Sequence, residues 1–180
     1  MTKVTLNLAA RFIILVLVQV LIFNHIDFMG YINPYVYILF IILFPANNNR
    51  TLFVFLAFLL GFSVDVFSDS GGVHAAACVT LAYIRPVFLK FSFGTIYDYQ
   101  SIKFNQTDFS SKLTYFTALV FIHHLVMFSL EIFNISKIIL ILQKTLFSGI
   151  FTIILCLIIT ILFSQKRKWE NCYSFQLLLL

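Results

Sequence analysis

Charge is scarce in this sequence. Of its 180 residues only 12 are Lys or Arg and seven are Asp or Glu, 11% in all, whereas a soluble domain carries about 25%. So few charges cannot cover a water-facing surface, and twelve basic residues are too few for a nucleic-acid-binding one. Cysteine is equally sparse. Cys78, Cys156 and Cys172 lie far apart and form no CxxC pair, which argues against a disulfide framework or a cysteine-based metal site. Two of them fall inside apolar runs, where Cys is a small packing residue. No HExxH, nucleophile–base pair or phosphate-cradling glycine loop occurs.

What the chain has instead is apolar surface. It is 61% hydrophobic with a mean hydropathy of +1.00, and its 23 Phe are spread along the whole length. That pattern predicts an all-α polytopic membrane protein with lipid as its main solvent and one integral membrane domain over residues 1–180.

Six apolar runs predict about six transmembrane helices, near 11–26, 34–45, 51–67, 72–91, 115–133 and 138–163. The first is retained as a helix, because no small-residue cleavage site follows it. The second is bounded by Asn33-Pro34 and Pro45, a helix start and a stop. Eleven or so residues rise only about 16 Å, against a hydrocarbon core of about 30 Å. This run therefore either begins before Pro34 with a kink or is a partial span packed against its neighbours. A loop over 92–114 and a tail over 164–180 complete the chain.

Basic residues orient it. With the N-terminus in the cytoplasm, Lys3, Arg11, Arg50, Arg85, Lys90, Lys103, Lys112, Lys166, Arg167 and Lys168 all lie inside, and Asp27, Asp69 and Glu131 lie outside. An even number of crossings with both termini inside is the expectation. Lys166, Arg167, Lys168 and Trp169 follow the last run as interfacial anchors to membrane lipids.

Ionisable groups within spans are costly, about 2.5–3.5 kcal/mol at a helix centre, so each is a candidate site. Asp65 and Asp69 are four apart at the end of the third helix, and His74 begins the fourth. Two carboxylates and an imidazole suit a divalent cation or a proton. The simpler reading makes Ser68-Asp69-Ser70-Gly71-Gly72 a turn, with Asp69 in water, His74 at the water boundary, and Asp69 or Ser70 capping the next helix. Asp65 alone then needs a buried partner: a Ser hydroxyl, a His, or backbone amides near Gly71-Gly72. Arg85 falls at the opposite face, too far to pair. In the fifth run His124, Phe128 and Glu131 form one stripe with His123 beside it, which suits a pH-sensing or proton-relay role; the simpler reading puts His124 and Glu131 in buried polar contacts between helices, or Glu131 at the membrane interface. Gly61, Gly71, Gly72, Ala75 and Ala76 are small enough to let helices approach closely. With Asp65 they are the candidate partner-binding surface. No cofactor and no metal ligand set is expected.

The ordered set GFSVDVFSDSGGVHAAA, HHLVMFSLEIF and KTLFSGIFTIILCLIITILF followed by KRK resembles the rod shape-determining protein MreD family in its Bacteroidetes-type form, over nearly the whole chain. The resemblance implies a non-enzymatic multi-pass subunit of the cell-elongation machinery in a bacterial inner (cytoplasmic) membrane, one that supports peptidoglycan synthesis and cell shape. It implies association with the bitopic protein MreC and, through it, with the MreB filament, a RodA-type glycosyltransferase and a penicillin-binding transpeptidase. It further implies a fold similar to the substrate-binding subunits of energy-coupling-factor vitamin transporters. That similarity of size and helix count raises the alternative of a vitamin-binding subunit in an uptake system. A proton-coupled carrier using Asp65 and His124 is a third reading, for which no inverted repeat is visible.

Overall fold

The structure, a computed structural model, describes residues 2–26, 32–45, 49–94 and 107–177, and of 2–5, 135 and 163–177 the backbone alone. Six α-helices occur in the described residues: α1 (Thr2–Leu21), α2 (Leu39–Ile42), α3 (Arg50–Ser68), α4 (Val73–Phe93), α5 (Phe109–Ile132) and α6 (Ile138–Leu177). Short 3-10 turns at Phe23–His25, Val36–Ile38 and Ile135–Lys137 join or extend them, and no strand is present in these residues. Five segments, Leu6–His25, Arg50–Ser68, Val73–Phe93, Phe109–Ile132 and Ile138–Leu162, are long and apolar enough to cross a membrane. The chain is a multi-pass membrane protein.

The run at 34–45 is not a sixth long helix. It forms one 3-10 turn and one α-turn, and from Val36 to Ile42 every side chain is buried. Pro34 and Pro45 delimit it, as the sequence requires, and of the two options left open it is the partial element packed against neighbours. Asn24, just past α1, donates to Ser68 Oγ at the end of α3 (2.9 Å), so α1 and α3 run in the same direction. The intervening segment must return between them, threading the middle of the bundle. The end carrying Ser68–Gly72 is the upper end; Arg50 and Phe93 mark the lower one.

Other boundaries differ in instructive ways. α4 continues through Pro86 to Phe93, because one missing amide does not break a helix held on both sides by packed neighbours. α5 starts at Phe109, six residues before the apolar run, and residues 95–106 of the expected loop lie outside the described residues. α6 continues as helix to Leu177, over most of the expected tail; the side chains of Lys166, Arg167, Lys168 and Trp169 lie outside what is described.

Buried apolar residues of α3, α4 and α5 (Phe53, Ala57, Leu60, Val64, Leu81, Ala82, Leu89, Phe116, Leu119 and Val120) pack around the central segment. Outward faces are large and apolar, with Phe55, Phe62, Val66, Tyr83, Val87, Phe91, Ile139, Ile150 and Leu162 exposed, as lipid contact demands. Among the described glycines the tightest approach is at Gly61. A Cβ there would sit 2.5 Å from Ala75 Cα and 2.5 Å from His74 O, and backbone cannot step aside as a flexible side chain does. Gly61→Ala is therefore expected to force α3 and α4 apart and to destabilise by about 1–3 kcal/mol or more. Thermal unfolding of the detergent-purified protein measures it.

Candidate functional site

The upper turn brings Asp65, Ser70 and His74 together. Asp65 is only 5% exposed, and both of its oxygens are used. Oδ1 accepts from Ser70 Oγ (2.5 Å), from the His74 backbone N–H (3.0 Å) and from His74 Nδ1–H (2.9 Å). Oδ2 accepts from the Ala75 backbone N–H (2.8 Å). The three partner types expected from the sequence, a Ser, a His and backbone amides, are all present, and on one carboxylate.

The capping role differs from the expectation. Neither Asp69 nor Ser70 caps α4. The N-cap position is Gly72, left-handed at φ 93°, which has no side chain to offer. The carboxylate at the end of the preceding helix reaches across the turn instead, satisfying amides that the first turn leaves unpaired and placing negative charge at the positive end of the α4 dipole. Asp69 terminates α3 in the left-handed region (φ 50°) and is exposed. His74 is buried rather than at the water boundary, because its ring folds back onto Asp65.

Beyond His74 lies a buried aromatic and polar cluster. Tyr35 and Tyr37 of the central segment have ring centroids 5.7 and 6.0 Å from that of His74. Tyr37 Oη and His123 Nε2 share a hydrogen bond of 2.9 Å. His124 Nδ1 lies 2.8 Å from Val120 O. A carbonyl only accepts, so Nδ1 carries the proton. In the neutral ring Nε2 then accepts from the Thr152 hydroxyl at 3.2 Å, and Thr152 Oγ1 accepts from the Tyr35 N–H at 3.0 Å. Gln19 of α1 completes the cluster. It donates to Asn24 Oδ1 (2.9 Å) and Pro34 O (3.1 Å), and accepts from the N–H groups of Val36 (2.8 Å) and Tyr37 (3.4 Å). The central segment is thereby fastened to α1, α5 and α6.

Arg85 forms a second polar site about 16 Å lower along α4, too far to reach Asp65, as the spacing predicts. It is 4% exposed, so it is a bundle-interior residue and not part of the basic surface with which its charge was grouped. Its Nη2 donates to Ile42 O (3.2 Å) and to Phe44 O, and its Nε donates to Tyr115 Oη (2.9 Å). Tyr115 in turn donates to Ile42 O (3.2 Å), and the guanidinium lies 5.1 Å from the Phe53 ring centroid. Its carbonyl partners are Ile42 at the end of the short α2 and Phe44 just beyond it, groups that a helix end leaves without an intrahelical donor. Among the described residues Asp65 and Arg85 are the fully charged side chains that are buried, and each sits at a helix end. Ile38, Leu39, Phe40 and Ile41 fill the segment between the two sites.

Glu131 is not a buried contact. It is exposed on the last turn of α5, where Lys144 of α6 donates to it at 3.1 Å; the turn extends past the packed interior, so a charge can stay at the rim. His124 is buried, as expected. Of the small residues, Gly61 and Ala75 are buried against each other, Gly71 and Ala76 are exposed, and Gly72 is half-buried. No group of three or more His, Cys, Asp or Glu suited to a metal ion occurs among the described residues. Gln19, Tyr35, Tyr37 and Thr152 were not identified from the sequence. The polar residues Gln19 and Thr152 inside apolar runs were the available signal, and the rings had none. No family model, curated protein or solved structure matches the chain.

Proposed function

We propose that this chain is a non-catalytic membrane scaffold of the cell-elongation type, an MreD-like subunit that docks an MreC-like bitopic partner on the outward face of the α3–α4 hairpin. The supporting observation is that Asp65 and Arg85 each meet a helix end inside the chain, a use of buried charge that builds a fixed shape. The sequence motifs resembling the rod-shape family lie on that hairpin, on α5 and on α6. In this reading the five long helices and the short buried segment make six crossings, with both termini in the cytoplasm and the upper end outside a bacterial inner membrane.

The docking surface narrows accordingly. Gly61, Asp65 and Ala75 act from within, holding the hairpin rigid, while Ala76, Thr80, Tyr83 and Val87 follow a 4-3-4 spacing on one stripe of α4. Ala76, Tyr83 and Val87 are exposed, and Gly71 and Gly72 sit at the stripe's upper end. Ala76 and Thr80, with the glycines above them, are small enough for close helix packing in lipid. Ala76→Leu is the discriminating variant, because Gly72 has a left-handed φ of 93° and any side chain there strains the turn. Ala76→Leu should insert and melt like the parent but lose at least about tenfold of its co-purification with the partner, equivalent to about 1.4 kcal/mol. Unchanged co-purification removes this stripe from the proposal. A stoichiometric vitamin in the same preparation, found by mass spectrometry, would decide for the small-molecule-binding alternative.

A further inference from the structure

Helical Ser and Thr in an apolar environment ordinarily satisfy their hydroxyls by bonding to the carbonyl four residues before. Ser63, Thr80, Thr114 and Thr160 all do so here, at 2.7–3.0 Å. Thr145 and Ser148 of α6 do not. Both side chains are 0% exposed, and neither Oγ has a hydrogen-bond partner among the described residues. A hydroxyl left in that state costs about 1–3 kcal/mol, yet the back-bond that would remove the cost is not made.

Their surroundings explain the choice. Two contacts fix the antiparallel register of α5 and α6: Lys144 with Glu131, and Thr152 with His124. Thr145 and Ser148 lie between those contacts, against the stretch of α5 from His124 to Glu131, whose buried side chains below Glu131 include Met127 and Phe128. Neither of those offers a hydroxyl a good partner. There is also room beside them: Gly149 is buried, and a Cβ built on it would meet nothing within 4 Å. Two aligned hydroxyls, spaced three residues apart beside open space, can bind a small molecule that both donates and accepts.

We propose that the upper halves of α5 and α6 enclose a hydrogen-bonding site for water, held by Thr145 Oγ1 and Ser148 Oγ. The site extends toward the rim the hydrogen-bonded line that runs from the Tyr35 amide through Thr152 to His124. It is independent of the scaffold reading and of which way the chain faces.

The sign of a stability change tests it. If the hydroxyls hold water, Thr145→Val and Ser148→Ala each lower the melting temperature of the detergent-solubilised chain by about 2–4 °C, and Thr145→Ser stays near the parent. The double variant loses less than the sum, because the two groups share one ligand. If they face a dry interior, both apolar replacements raise the melting temperature or leave it unchanged, which overturns the proposal. Radiolytic labelling gives a reading on the unmutated protein. A bound water should generate oxidant in place and label Met127, which is 1% exposed, at least threefold above the double variant. An unlabelled Met127 would contradict the site.

Discussion

Asp65→Asn is expected to lower the melting temperature by roughly 6–20 °C, although it changes one oxygen to nitrogen and leaves the volume alone. Four donors converge on the carboxylate: two backbone amides, a serine hydroxyl and an imidazole N–H. Asparagine offers one acceptor oxygen, and its NH2 group would face a backbone N–H. At least one buried donor is orphaned, and the favourable charge at the start of α4 is lost as well. Removing one member of a buried charged network costs about 3–5 kcal/mol, from a total stability of about 5–15 kcal/mol. For a chain of this size each kcal/mol shifts the melting temperature by about 2–4 °C. Ser70→Ala should shift it far less, since the carboxylate keeps its three nitrogen donors. A shift below about 2 °C for Asp65→Asn would mean that the carboxylate is not the cap.

Arg85→Met is expected to destabilise by about 2–4 kcal/mol, seen in the same thermal measurement. Methionine preserves most of the apolar stem, so the packing loss is small. The Phe44 carbonyl loses the donor it shares with that of Ile42, whereas the Ile42 carbonyl keeps Tyr115. An unpaired carbonyl in this environment is the main cost. Arg85→Lys should fall between the two, because one ammonium keeps the charge but lacks the planar fork that spans two carbonyls and a phenol oxygen. Stability equal to the parent in Arg85→Met would show that the end of α2 does not depend on the guanidinium.

The two sites were legible in the sequence to different depths. Hydropathy and length predicted the long helices because lipid imposes both on any chain that crosses it. The pairing of Asp65 with Ser, His and amides followed from local geometry, since a turn of a few residues leaves little choice. The second run could be recognised as too short, but its place at the centre could not. That position depends on contacts with Gln19, His123 and Thr152, which are 15 to 117 residues away from their partners in the segment. Arg85 was misplaced for the same reason. The positive-inside rule treats an arginine near a helix end as a surface charge, and only the position of residues 42–44 reveals carbonyls aimed at it. Glu131 shows the opposite pull: its place in an apolar stripe suggested burial, but the buried part of the stripe ends one turn before it, and the interfacial alternative is the one the structure has. The small residues Ala75 and Ala76 were visible in the sequence without any indication that one would turn inward and the other outward.

Amide hydrogen exchange across Gly71–Cys78 tests most directly the claim that buried charge fixes the hairpin. The first amides of a helix have no intrahelical acceptor and ordinarily exchange quickly. Held by Asp65, the amides of His74 and Ala75 should instead be protected as strongly as those in the middle of α4. Asp65→Asn should release them selectively, with the middle of the helix unchanged. Rapid exchange at His74 and Ala75 in the parent protein, equal to that at Gly71, would contradict the account.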